Sequence, residues 1–254
     1  KGVHIVSSGA GWVPHLGQLP PNSPKELARE YRLMSDKAEF TDDMVKLYSD
    51  EEPNWNYASP LMLKKMVEKA HAQKKLVAVH AILNKGIEGA LSSGADTLEH
   101  GVEMSEEQFK KLATLKMIFV PTVSGALFLD NKRAKLGDDH PTTEFKRACK
   151  NIQQALKLRI PVAFGSDHYF DFPLGDYGRE QIEMISALTT CGITANQALQ
   201  MATYHASMTQ NLLKTGLIAP DYRADFNIYE KSPELDLKRL SSPEQMFRKG
   251  EKIN

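Results

Sequence analysis

Three polar side chains close otherwise apolar runs, and their types suit a metal site. Leu76-Val77-Ala78-Val79 leads to His80, Thr97-Leu98-Glu99 leads to His100, and Val162-Ala163-Phe164-Gly165-Ser166 leads to Asp167. Two imidazoles and a carboxylate are donors that a divalent cation such as zinc accepts. A fourth candidate, Lys46, lies inside Met44-Val45-Lys46-Leu47-Tyr48. A lysine within an apolar strand is costly to bury unless it is paired or modified. Taken singly, each has an ordinary structural account. A strand-end histidine can be a hydrogen-bonded core group, Asp167 can cap the turn that follows it, and Lys46 can point to solvent at a sheet edge. Together they argue for a site, because structural polar residues need not all choose the same strand ends.

The elements that must position these residues alternate. Strand-like runs are Val3 to Ser7, Met44 to Tyr48, Leu76 to His80, Thr97 to His100, Met117 to Pro121 and Val162 to Gly165. Helical patterns lie between them. Ser59 and Pro60 start one that carries Leu63, Met66, Val67 and Ala70 on one face. Ser105 starts another, with Glu106 and Glu107 in its first turn, where the helix dipole favours carboxylates. Thr143 to Leu158 and Gly178 to Cys191 read as helices, and Thr194 caps the next, ahead of Ala195 to Met201. Alternation of this kind predicts an α/β fold with a parallel sheet, and mostly apolar strands fit a sheet covered on both faces. A closed barrel of βα units needs eight, of which six are counted, so two are expected before residue 1. In such a barrel the C-terminal strand ends converge on the active site. After Lys214 the pattern changes, with short strands expected at Ala224 to Tyr229 and Gln245 to Lys249. The expected division is a partial barrel over 1–214 and a β appendage over 215–254.

Bulk composition narrows the partners. The chain has 254 residues, 41% of them hydrophobic, and its 32 basic side chains balance 32 acidic ones. Neutral charge disfavours nucleic acid and anionic membranes and leaves a small-molecule partner as the expectation. No apolar run approaches the ~20 residues of a membrane span, and no signal peptide is visible. The chain starts at Lys1 without Met, inside a strand-like run, so it reads as a fragment and its compartment, cytoplasmic or exported, is left open. Cys149 and Cys191, the two cysteines, exclude a disulfide scaffold and are expected as buried thiols in helices.

Several stretches resemble, in order, strands five to eight of the amidohydrolase superfamily: Val77-Ala78-Val79-His80-Ala81, Gly94-Ala95-Asp96-Thr97-Leu98-Glu99-His100-Gly101, Phe119-Val120-Pro121-Thr122 and Ala163-Phe164-Gly165-Ser166-Asp167. Downstream, Gly192-Ile193-Thr194-Ala195-Asn196-Gln197-Ala198-Leu199 resembles a helix start of the family, and Gly216-Leu217-Ile218-Ala219-Pro220 and Ala224-Asp225-Phe226 are similar to its return to an accessory β-sandwich. The subgroup it most resembles holds imidazolonepropionase-like enzymes and metal-dependent dipeptidases such as prolidase and arginine carboxypeptidase. The resemblance implies a (β/α)8 TIM barrel of the metal-dependent hydrolase type, here lacking its first two βα units and keeping a remnant of the β-sandwich at the C-terminus. It implies that His80 and His100 bind one of two metals, that a carbamylated Lys46 bridges both, and that Asp167 binds the other and acts as general base. A metal-activated hydroxide would then attack the carbonyl of a dipeptide, an N-acyl amino acid or a cyclic amide. Zinc suits these ligands best, and manganese, cobalt or iron fit them too.

The family's first strand carries His-x-His, which occurs nowhere here. The fragment alone is therefore expected to bind metal weakly and to be inactive, with the missing N-terminal segment or a homo-oligomer as a partner. Candidate substrate contacts are His168, Tyr169, Tyr57, His140 and Arg179, although ordinary loop polarity is the simpler account of each. Two other readings stand: a non-catalytic binding or scaffold module derived from an amidohydrolase, and an aromatic deaminase. The latter is disfavoured by Lys46, since those relatives usually use one metal and no bridging lysine.

Overall fold

The computed structural model describes residues 43–51, 56–57, 59–123, 143–167 and 177–253. They belong to two compact units, one running to Val120 with Leu158–Ile160, the other made of Pro121–Lys157 and Pro161 onward.

In the first unit, strands β1 (Met44–Tyr48), β4 (Leu76–Ala81), β5 (Thr97–His100) and β6 (Ile118–Val120) pair in that order, all parallel. A short antiparallel pair, β2 (Asp50–Glu51) with β3 (Asn56–Tyr57), follows β1. The register sets Lys46 opposite Ala78 and Tyr48 opposite His80, then His80 opposite Glu99. Side chains alternate along a strand. One sheet face therefore carries Lys46, Tyr48, His80 and Glu99, and the other carries Val45, Leu47, Val77, Val79, Leu98 and Phe119. The apolar set is fully buried, each Leu or Phe contributing about 2 kcal/mol.

Helices α1 (Pro60–Ala72), α2 (Asn84–Ser93) and α3 (Glu106–Thr114) accompany this sheet. Helix α1 buries Met62, Leu63, Met66, Val67 and Ala70, as the periodicity predicts, and packs with α2 against β4. Phe109 of α3 meets Phe119 of β6 edge to face, 6.2 Å between centroids. Ser105 forms a full capping box with Gln108. Ser59 does not cap through its side chain: the Met62 N–H that a serine cap would take goes to the Ser59 carbonyl at 2.9 Å. Asp96 pins three strand starts, accepting from Val77 N–H at 2.7 Å on its carboxylate and exchanging backbone bonds with Val77 and Ile118.

The second unit contains α4 (Thr143–Lys157), α5 (Tyr177–Ala187), a 3-10 turn Leu188–Cys191, α6 (Ala195–Gln200), a π-helical turn Met201–His205 and α7 (Ala206–Thr209). The helix expected over Gly178 to Cys191 ends at Ala187 and tightens. The Thr189 and Thr190 hydroxyls donate to the carbonyls of Ser186 and Ala187, and Gly192 at φ 73° closes the turn. The expectation of two free thiols is overturned: Cys149 and Cys191 form a disulfide. Helix α4 and the 3-10 turn bring their Cα atoms to 5.0 Å, within bridging range, and a sequence separation of 42 conceals that proximity.

Val162 to Gly165, expected as a strand, holds only an isolated bridge at Val162. Its backbone is satisfied by the π-helical turn instead. Phe164 N–H donates to the Met201 carbonyl at 2.9 Å, and His205 Nδ1 lies 2.8 Å from the Val162 carbonyl. Strands β7 (Phe226–Ile228), β8 (Gln245–Arg248) and β9 (Glu251–Lys252) form an antiparallel sheet. The strand expected at Val3 to Ser7 lies outside the described residues.

Candidate functional site

The polar face of the parallel sheet carries Lys46 and His80, and His100, which alternation assigns to the opposite face, meets His80 at the strand ends. The imidazoles of His80 and His100, at the ends of adjacent strands, meet edge to face with centroids 4.5 Å apart. Tyr48 leans on His80 at 5.0 Å, and Lys46 Nζ stands 5.6 Å over the Tyr48 ring. Lys46 is partnered, as a lysine in a strand must be: its ammonium pairs with the carboxylate of Glu99. His100 is held well below the ordinary imidazole range, first by loss of hydration, then by the charges of His80 and Lys46. It is therefore neutral at physiological pH, the state in which imidazole binds a metal.

His100 has a left-handed backbone, φ 68°, followed by Gly101 at φ 60°. Such a turn is uncommon for a residue with a Cβ and turns the chain sharply at the strand end. Thr122 (φ 47°) and Asp167 (φ 45°) share that conformation just past β6 and just past the Val162 run. Asp167 is exposed and belongs to the second unit, as does exposed Arg179 in the first turn of α5. The Tyr57 backbone pairs with Asp50 in the β2–β3 ladder. His140, His168 and Tyr169 lie outside the described residues.

The family model for "Amidohydrolase family" matches residues 9–253. The chain belongs to the amidohydrolase family. Ochratoxinase of Aspergillus niger is 28% identical over 220 residues, covering 80% of this chain and 43% of that protein. This amidohydrolase chain thus spans about half the length, or less, of the curated relatives it matches. The crystal structure of A. niger ochratoxinase superposes with a TM-score of 0.71 at 23% identity, covering 91% of this chain and 54% of that one. A Xaa-Pro dipeptidase with bound methionine gives 0.72 at 19% identity, covering 91% and 57%. These structures share the fold.

The amidohydrolase family is generally metal-dependent, and the donor chemistry here fits a divalent cation: two adjacent imidazoles, one held neutral. Among the described residues, no group of three or more His, Cys, Asp or Glu side chains gathers as a metal cage.

Two residues escaped the sequence reading. Glu99 was visible only inside a motif, yet strand alternation puts it on the face of Lys46 and His80. Asp50 follows β1 and has a fully buried carboxylate. It accepts from Ile82 N–H (3.0 and 3.1 Å) and Leu83 N–H (2.9 Å), where β4 turns into α2, and its Oδ1 lies 3.4 Å from His80 Nε2. An acidic residue just past a strand containing a lysine was the available signal.

Proposed function

We propose that this protein is part of a metal-dependent hydrolase that cleaves an amide bond of a dipeptide, an N-acyl amino acid or a cyclic amide. The observation that carries the reading is the contact of the His80 and His100 rings at adjacent parallel strand ends, in a chain of the amidohydrolase family. Its relatives' names, ochratoxinase and Xaa-Pro dipeptidase, favour the amide substrate.

In this reading the parallel sheet belongs to a TIM barrel. His80 and His100 would hold one divalent ion and Asp167 a second, zinc by preference, with Lys46 joining them once carbamylated. A bound metal supplies an acidified water and polarises the substrate carbonyl. The chain's own residues do the rest. His100, kept neutral by its surroundings, offers a lone pair at physiological pH. Glu99 neutralises the Lys46 ammonium while that lysine is unmodified. Asp167 takes a proton from the nucleophile and returns it to the leaving amine. Arg179, Tyr57, His140, His168 and Tyr169 are the candidates to hold a substrate carboxylate.

The test is elemental analysis of metal on this chain and on the complete product of its gene, with hydrolysis assayed on a panel of dipeptides and N-acyl amino acids. Bound metal with amide cleavage supports the reading. Metal-free protein without cleavage in both preparations favours the non-catalytic module.

A further inference from the structure

We infer that Asp50 is a positioning residue that fixes the ring orientation and tautomer of His80, presenting Nδ1 to the metal. The inference rests on the metal-hydrolase reading for its purpose and on geometry for its substance. Asp50 lies just past β1, the strand that carries Lys46, and its carboxylate is fully buried. A buried carboxylate must be satisfied, and backbone donors claim most of its capacity: Ile82 N–H contacts both oxygens and Leu83 N–H contacts Oδ2. What remains is the side of Oδ1 that faces His80 Nε2 at 3.4 Å. That gap is a few tenths of an ångström (about 0.2 to 0.4) beyond an ordinary N–H···O bond.

An ionised carboxylate only accepts, so the nitrogen facing it carries the hydrogen. At 3.4 Å the pair is a charge contact longer than a hydrogen bond, and it favours the Nε2–H tautomer of His80, with the lone pair on Nδ1. A carboxylate behind a metal-binding imidazole commonly has this role, orienting the ring and raising its basicity. The surroundings keep Asp50 in place. Ser49 Oγ donates to the Gly86 carbonyl at 2.6 Å. A Cβ on Gly86 would stand 1.8 Å from Oδ2 of Asp50, and one on Gly89 would stand 2.9 Å from Ser49 Oγ. Two glycines of α2 thus make room for the Ser49-Asp50 pair. Its backbone-binding half is structural, whereas the edge turned to His80 is not needed to close the loop.

Asp50→Asn separates the two. The amide oxygen keeps the backbone donors of Ile82 and Leu83, and the amide NH2 then faces His80 Nε2. It donates there, which moves the ring hydrogen to Nδ1 and removes the lone pair meant for the metal.

The experiment uses histidine labelled with 15N, with the His80 signals assigned by their loss in His80→Gln. Spectra of the metal-free chain at pH 8 are read for tautomer, and zinc affinity is read by chelator competition. We expect the Nε2–H form in the native chain, the Nδ1–H form in Asp50→Asn, and a 10- to 100-fold weaker zinc affinity in that variant, the usual range for losing such a partner. Nδ1–H in the native chain overturns the inference from that spectrum alone, even if Asp50→Asn fails to fold. Unchanged tautomer and affinity in a folded Asp50→Asn also overturn it, leaving the metal reading intact. A tautomer switch in a chain with no measurable zinc affinity upholds the positioning of His80, and the metal reading is then decided by the metal content of the complete gene product.

Discussion

A β-carbon placed on Gly86 would lie 1.8 Å from Oδ2 of Asp50. Helix α2 therefore needs glycine there for contact, not for backbone freedom. Gly86→Ala must displace a buried carboxylate from the N–H groups of Ile82 and Leu83. Overpacking and lost hydrogen bonds together cost about 3 kcal/mol or more, although alanine is the better helix former. Urea denaturation should show a lower midpoint at unchanged slope. A stability equal to the native chain would mean that Asp50 relocates freely, and its positioning role would fall with it.

His80 and His100 should act together on metal and separately on stability. His100→Ala empties space beside His80 and Lys46 and removes one proposed ligand, so zinc content should drop while Glu99 still pairs with Lys46. Asp167→Asn, on an exposed side chain, should leave the thermal midpoint within about 2 °C of the native value. It should lower amide turnover at least about 100-fold in a catalytically competent preparation. Native-like turnover in Asp167→Asn would remove that residue from the mechanism, and unchanged metal stoichiometry in His100→Ala would remove His100 from the ligands.

Asp225 gives a pH signature. Burial pushes its carboxyl upward, but the Lys249 N–H bond at 2.8 Å and the Arg223 guanidinium outweigh that and hold it below the ordinary carboxylate range. The folded chain then binds fewer protons than the unfolded chain just below that range, so the stabilisation is complete above it and is lost as pH falls through the lowered value. Asp225→Asn keeps an acceptor for Lys249 N–H and loses only the surface charge pairing, so it should lose no more than about 1 kcal/mol near neutrality. The gap to the native chain should close as pH falls below ~4. A gap that persists at pH 2 would show that the carboxylate charge is not its source.

The parallel sheet was legible because local and global signals agree. Strand-like runs at Met44 to Tyr48 and Thr97 to His100 match the observed strands residue for residue, since apolar composition and flanking turns point the same way. His80 and His100 were legible for the same reason, as polar groups ending apolar runs. The Val162 to Gly165 run misled because its composition is strand-like while its hydrogen bonds go to Met201 and His205 of the π-helical turn. No local pattern announces that partner. Asp50 and Glu99 were hidden by another limit: a carboxylate's partners lie across the sheet or in the next loop, and sequence spacing does not reveal register. Cys149 and Cys191 failed likewise, each looking like an ordinary helical thiol until the fold brings their helices together.

That last pair yields a prediction the sequence could not. The Cys149–Cys191 bond ties α4 to the turn after α5 across a separation of 42 residues. In the chain-entropy account a closed loop of that length restricts the unfolded state by about 4 kcal/mol, and measured values are often smaller. Gln153 also donates to the Cys191 carbonyl, so the two segments keep one contact after reduction. Dithiothreitol, or paired Cys149→Ala and Cys191→Ala substitutions, should therefore lower the melting temperature without unfolding the first unit, whose strands contain no cysteine. Amide exchange should then rise in α4 and the 3-10 turn while β1, β4 and β5 stay protected. An equal rise in both units would mean that the disulfide stabilises the chain as one cooperative whole.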